Sequence, residues 1–416
     1  MRLILVFLLA LVSLDAAEPS AFVQIRDRKF VAPNGEPLKL RGINLGSWLL
    51  PEGYMLKFKK RTSGPWQLEN MVAELVGDQA AAHFWREWWD NFITLDDIRF
   101  IKRAGFNSVR LPINWRLFVT PRPPSRFEGP GWELVDRLIG WCRAEGIYVV
   151  IDLHGAPGGQ TGTQIDDSHG YPFLFLDAES QQLTIDLWRE LAKRYRDEPT
   201  VLGYDLLNEP IGHMFDTARL NPLLGPLYDR IVAAVREVDP HHIIFLAGAQ
   251  WNTNFEILTP PKVPNIAYTF HTYWTPGTDV SVIERYLRVA WEHQVPLWLG
   301  ESGENTDAWV EGFRRTLDEN NIGWCFWTYK RMAGTNHPAS SVVSVADPTG
   351  WDKIVAYAMG PRLTMDEIRE HRPPLDKAAA ALRGLLDNIR LEKTTPNPGY
   401  LRALGLNPDV STKPVP

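Results

Sequence analysis

The chain has 416 residues, 44% hydrophobic and 23% charged, which is ordinary composition for a protein with a large buried core. A net charge of −6, with no basic block and no Cys/His finger spacing, excludes a nucleic-acid-binding role. Only the 17 Trp stand out, and indole rings both stack on sugar faces and fill cores.

The N-terminus carries Arg2, an apolar stretch from Leu3 to Leu14, and small residues at Ala16 and Ala17. This is the pattern of a secretory signal over residues 1–17, too short for a comfortable membrane span. A secreted or periplasmic protein without a stable membrane anchor is expected. Two extended runs around Asn34-Gly35 then predict a β-hairpin.

From there short apolar strands alternate with amphipathic helical stretches, the rhythm of successive βα units. Strands are predicted at Leu40–Leu45, Ser108–Ile113, Tyr148–His154, Val201–Asn208, His242–Gly248, Ile266–Tyr273, Leu297–Ser302 and Gly323–Tyr329. "LDDIRFIKRAG" opens on acids and stops at Gly105, and "GWELVDRLIGWCRAEG" follows the same helix grammar. Eight strands with intervening helices predict a (β/α)8 TIM barrel over residues 18–360. An open doubly wound sheet would need a Gly-rich phosphate turn, and "HGAPGG" lacks its spacing. Long loops are expected at Leu49–Phe92, Gly155–Leu183 and Arg331–Trp351. Residues 361–416 read as a helical extension packed on the barrel, broken at Pro373-Pro374 and ending in a frayed loop. Cys142 falls in a helical pattern and Cys325 in a strand pattern, so two free buried thiols are expected.

Polar residues gather where the predicted strands end. Arg110 lies on the second strand, His154 ends the third, and Asn208-Glu209 end the fourth. His271 and Tyr273 lie on the sixth, Glu301 on the seventh and Trp327 on the eighth. In a barrel these ends converge on one mouth. Two carboxylates facing each other there are the minimum equipment for glycoside hydrolysis, one protonated and one ionised. The residues alone leave other uses open. Asp152 and His154 share a strand face and with His271 suggest a metal set, Arg110 suits a core ion pair, and Trp327 suits barrel packing. Asp166, Asp167 and His169 read as solvated loop residues.

Taken together, Arg110, His154, Asn208-Glu209, His271, Tyr273, Glu301 and Trp327, in this order, resemble glycoside hydrolase family 5, a cellulase-like group of retaining β-glycosidases. The resemblance implies Glu209 as acid/base and Glu301 as nucleophile. It implies Asn208 on the sugar 2-hydroxyl, Trp327 as a platform under the sugar, and His154, His271 and Tyr273 around it. "LRGINLGSWLLPEGYM", "HGAPGGQTG" and "GWCFWTYK" are similar to the exo-β-1,3-glucanase and β-glucosidase-type branch, which implies that Glu52 contacts the terminal sugar. The stretch "TGTQIDDSHGYPFLF" departs from that branch. The resemblance implies a monomer acting on an oligo- or polysaccharide, with no cofactor and no metal.

Overall fold

The computed structural model describes residues 21–58, 63–120, 126–335 and 341–413. The signal segment expected at residues 1–17 lies outside the described residues.

Two short strands, β1 (Gln24–Arg26) and β2 (Lys29–Val31), pair antiparallel. The turn between them is Asp27-Arg28, both left-handed at φ 48° and 58°, and not Asn34-Gly35 as the sequence predicts. A two-residue turn with positive φ matches strand twist. Asn34-Gly35 makes a second, wider return, and Pro37 beyond it limits pairing to a single bridge with Val31. Val23 and Phe30 of this hairpin pack with Val150, Leu202, Phe245 and Trp298, plugging the N-terminal end of the barrel.

The barrel strands are β3 (Arg41–Asn44), β4 (Ser108–Asn114), β5 (Tyr148–Gly155), β6 (Val201–Asp205), β7 (Ile243–Ala247), β8 (Ile266–Tyr273), β9 (Leu297–Gly303) and β10 (Gly323–Phe326). All pair in parallel, and β10 closes the ring against both β9 and β3. Helices cover the outside, burying one apolar stripe each. In Leu95–Ala104 that stripe is Ile98, Phe100, Ile101 and Ala104; Thr94 caps the helix and Gly105, at φ 106°, ends it. Cys142 and Cys325 are free and buried.

Three further predicted features differ in the structure. The fourth strand stops at Asp205 and the eighth at Phe326, so Asn208, Glu209 and Trp327 stand on the turns beyond. The stretch expected as a long loop from Leu49 holds two helices, Pro65–Val76 and Asp78–Phe92, hinged at Gly77. The C-terminal tail is also no frayed loop. Helices Met365–His371 and Leu375–Asn388 flank Pro373-Pro374. The chain then adds β13 (Thr395–Pro396) to a small sheet with β11 (Lys330–Met332) and β12 (Val343–Val345). Helix Pro398–Ala403 buries Tyr400 and Leu401 against the barrel.

Candidate active site

Arg110 stands at the centre of the barrel, fully buried. Its guanidinium donates to Glu301 Oε1 at 2.5 Å, Asp205 Oδ2 at 2.9 Å, Asn44 Oδ1 at 3.0 Å and Asn208 Oδ1 at 2.9 Å. Asp152 lies 3.0 Å from it. Burial alone would lower its pKa, but the charges of Asp152, Asp205 and Glu301 outweigh this and raise it, so Arg110 stays charged. A buried guanidinium needs such a set of acceptors. It also serves as the hub that orients the nucleophile candidate and the Asn208 amide together.

Glu301 receives a second donor on its other oxygen, the Tyr273 hydroxyl at 3.0 Å. Glu209 sits differently. Its Oε1 meets His271 Nδ1 at 2.8 Å, and its backbone N–H donates to Asn252 Oδ1 at 2.9 Å. Burial pushes the Glu209 carboxyl up to about 7, against the opposing pull of His154 and Arg110. Two acids in one pocket thus have distinct surroundings, one gripped by donors and one held beside a neutral ring. One oxygen each of Glu209 and Glu301 and one His271 nitrogen lie within 4.8 Å of one another.

Both histidines are neutral at neutral pH, since burial lowers His154 to about 4 and His271 to about 3. His154 Nδ1 bonds Asp152 at 2.7 Å, and its Nε2 accepts from Asn208 Nδ2 at 3.2 Å. The pairing uses both ring nitrogens, so Asp152, His154 and His271 do not converge as a metal set. The one group of close ligand-type atoms among the described residues is Glu209, His271 and Glu301.

Trp327 lies against His154 with ring centroids 5.7 Å apart and planes 16° from parallel. Its Nε1 donates to the Tyr54 hydroxyl at 2.8 Å, and the Tyr400 hydroxyl donates to its carbonyl at 2.9 Å. The ring crosses Gly46, where an added Cβ would meet it at 2.6 Å. Glu52 is buried in the same pocket. Burial, then the charges of Glu301, Glu304 and Glu209, push its pKa well above the usual carboxyl range. In its neutral form it can donate to a hydroxyl.

All nine residues singled out from the sequence therefore meet at the C-terminal mouth of the barrel. Asp166 and Asp167 are not solvated. Asp166 is buried and accepts from the backbone N–H groups of Thr161, Gly162 and Ser168, while Asp167 pairs with Arg116 at 2.6 Å. They brace the loop after β5. Sequence reasoning missed Asn44, Tyr54, Gln160, Asp205, Asn252 and the Glu304–Arg331 pair at 2.9 Å. Asp205 was discoverable, since an acid inside an apolar strand must find a charged partner.

A family model described as "Cellulase (glycosyl hydrolase family 5)" matches residues 67–332. The chain belongs to glycoside hydrolase family 5. This family 5 hydrolase is 30% identical over 346 residues to a β-xylosidase of Phanerodontia chrysosporium, covering 74% of this chain and 71% of that protein. It is 32% identical to a probable glucan 1,3-beta-glucosidase A of Aspergillus clavatus, covering 60% of this chain and 59% of that protein. The same identity, 32%, relates it to endoglucanase C of Acetivibrio thermocellus, over 60% of this chain and 87% of that one. The chain thus spans less than two thirds of the Aspergillus glucosidase it matches. Among solved structures, the fold is shared with a rutinosidase from Aspergillus niger at TM-score 0.58 and 17% identity, covering 73% of this chain and 92% of that one. It is also shared with the endoglucanase Cel5A of Thermotoga maritima at TM-score 0.52 and 21% identity, over 77% and 96%.

Proposed function

We propose that this family 5 hydrolase is an exported, retaining β-glycosidase that removes one terminal sugar from β-linked glucans or glucosides. The observation that carries the reading is the approach of Glu209 and Glu301 oxygens to within 4.8 Å. Carboxyl groups about 5–5.5 Å apart suit direct attack on the sugar, whereas inversion needs about 6.5–9.5 Å to admit a water.

In the first step a Glu301 oxygen attacks the anomeric carbon. The bond from that carbon to the leaving oxygen breaks, and the Glu209 proton goes to that oxygen. A glycosyl ester on Glu301 results, and Glu209 is now an anion. In the second step water attacks the same carbon, gives its proton to Glu209, and the ester bond returns its electrons to Glu301. Two inversions retain the β configuration. The His271 ring beside Glu209 suits both states of the acid, since neutral imidazole accepts from a carboxylic acid in one tautomer and donates to a carboxylate in the other. Asn208 keeps one amide N–H beyond the bond to His154, free for the sugar 2-hydroxyl.

Terminal rather than internal cutting is supported by Glu52. Glu52, which the exo-type resemblance places on the terminal sugar, is buried and lies close enough to Glu301 and Glu209 for their charges to raise its pKa. Export is supported by the Arg2-led apolar run at the N-terminus. Proton NMR of the first-formed sugar from an aryl β-glucoside tests the mechanism. The β anomer must appear before mutarotation, and an initial α anomer would refute retention.

A further inference from the structure

The position of Glu209 fixes where a leaving group must lie. On the two-carboxylate reading, which this inference rests on, the acid protonates the leaving oxygen, so the departing alcohol passes beside Glu209. That side chain stands on the loop after β6. It is bonded by His271 of β8, and its N–H by Asn252 after β7. These three loops are neighbours around the barrel. Of the residues assigned to the retained sugar, Asn208, His271 and Tyr273 share these strands and turns near the barrel axis, while Glu52 after β3, His154 on β5 and Trp327 after β10 lie elsewhere on the ring. The alcohol therefore leaves across residues 211–215, 249–255 and 274–278.

Those three segments contain no Lys, Arg, Asp or Glu. Much of their polar equipment is spent internally. The Gln250 amide bonds Asn221 and Asn254, Asn252 holds Glu209 and the Thr269 carbonyl, and Thr275 bonds the Gly277 carbonyl. The large side chains left for a ligand are apolar apart from the exposed His213. Met214 is 54% exposed and Trp274 is 61% exposed. Trp251 stands edge-on to His213, with ring centroids 4.4 Å apart. Trp274 is exposed but held, since its Nε1 donates to the Glu304 carbonyl at 3.1 Å and its ring packs on Tyr273. Its backbone, like those of Ile211 and Trp251, is left-handed, at φ 53°, 58° and 59°. Bulky residues in that region are strained and persist where the surroundings over-determine them. An exposed indole held by its own hydrogen bond, with an exposed thioether on the loop that carries Glu209, marks a binding surface.

We propose that this surface selects an apolar leaving group, an alkyl or aryl alcohol, in preference to a further sugar unit. A sugar could stack on this open surface, but its hydroxyls would stay in water. They would find in these segments chiefly the exposed His213 and Trp251 Nε1, which is unpaired among the described residues, whereas an alkyl or aryl group gains by leaving water.

The test is kcat/KM on β-glucosyl fluoride, on methyl, butyl and hexyl β-glucosides, and on laminaribiose, for the wild type, Trp274→Ala and Met214→Ser. The rate should rise about tenfold or more from methyl to hexyl as methylenes leave water, and hexyl should exceed laminaribiose. Both variants should flatten the rise, lowering the hexyl-to-methyl ratio. A flat wild-type series, faster laminaribiose, or a rise unaltered in both variants would overturn the proposal. So would equal losses on methyl and hexyl glucoside, which would show the residues acting on Glu209 or on the retained sugar and not on the alkyl chain of the alcohol. The fluoride has no alcohol to seat, so absence of its turnover would instead sink the glycosidase reading itself.

Discussion

Glu209, the acid/base of the proposed mechanism, illustrates how such a position works against stability. Folded, its carboxyl titrates near 7 because burial disfavours the anion; its ordinary value is 4.5. Below the lower value both folded and unfolded chains hold the proton and nothing is lost. As pH rises between the two values the unfolded chain releases its proton first, so stability falls, and the cost is complete above the higher value. Glu209→Gln removes that titration. The variant should therefore melt higher than the wild type at about pH 8, by on the order of 2 kcal/mol, and equally at about pH 4. Thermal unfolding at both pH values checks this, and a gain at the lower pH alone would contradict the assignment. The same titration sets an activity limit. kcat/KM should fall as pH rises past about 7, when Glu209 loses the proton it must donate.

At the scale of elements, the C-terminal extension supports the site from behind. Helix Pro398–Ala403 places the Tyr400 hydroxyl on the Trp327 carbonyl, and Asn397 N–H donates to Val342 to hold the strand pair. Tyr400→Phe leaves a buried carbonyl without its donor, which should cost about 1 kcal/mol of stability. If Trp327 is the sugar platform that the resemblance implies, it contacts ground and transition states alike, and the variant should raise KM severalfold with little change in kcat. A fall in kcat at constant KM would mean that the tail acts on the carboxylates instead. None of this was legible in "TTPNPGYLRALGLNP", whose Pro and Gly content reads as loop; its order comes from partners far away in sequence. The helices at Pro65–Val76 and Asp78–Phe92 were missed for a different reason. They form an insertion between β3 and the helix at Leu95, where the βα rhythm leaves no place for a helix pair. Asn34-Gly35 carries a stronger local turn preference than Asp27-Arg28, but pairing of Ile25 with Phe30 decided the register.

For the whole molecule, the barrel turns a one-dimensional pattern into a site. The eight strands were readable because each is a short apolar run between helix signals, and their parallel closure brings their C-terminal ends together. That is why Arg110, His154, Glu209, His271, Tyr273, Glu301 and Trp327 could be grouped before any coordinates, although they span more than two hundred residues. The inner layer beneath them, Asn44, Gln160, Asp205 and Asn252, was not readable as a set, because hydrogen-bond partners follow from side-chain directions rather than from strand ends. The proposed mechanism requires that Glu301 form a covalent bond to the sugar. Intact-mass and peptide analysis after incubation with a 2-deoxy-2-fluoro β-glucoside bearing an activated leaving group tests it directly. One glycosyl adduct per chain is expected, on Glu301. An adduct on Glu209, or turnover of the reagent with no adduct and release of the α anomer, would contradict it.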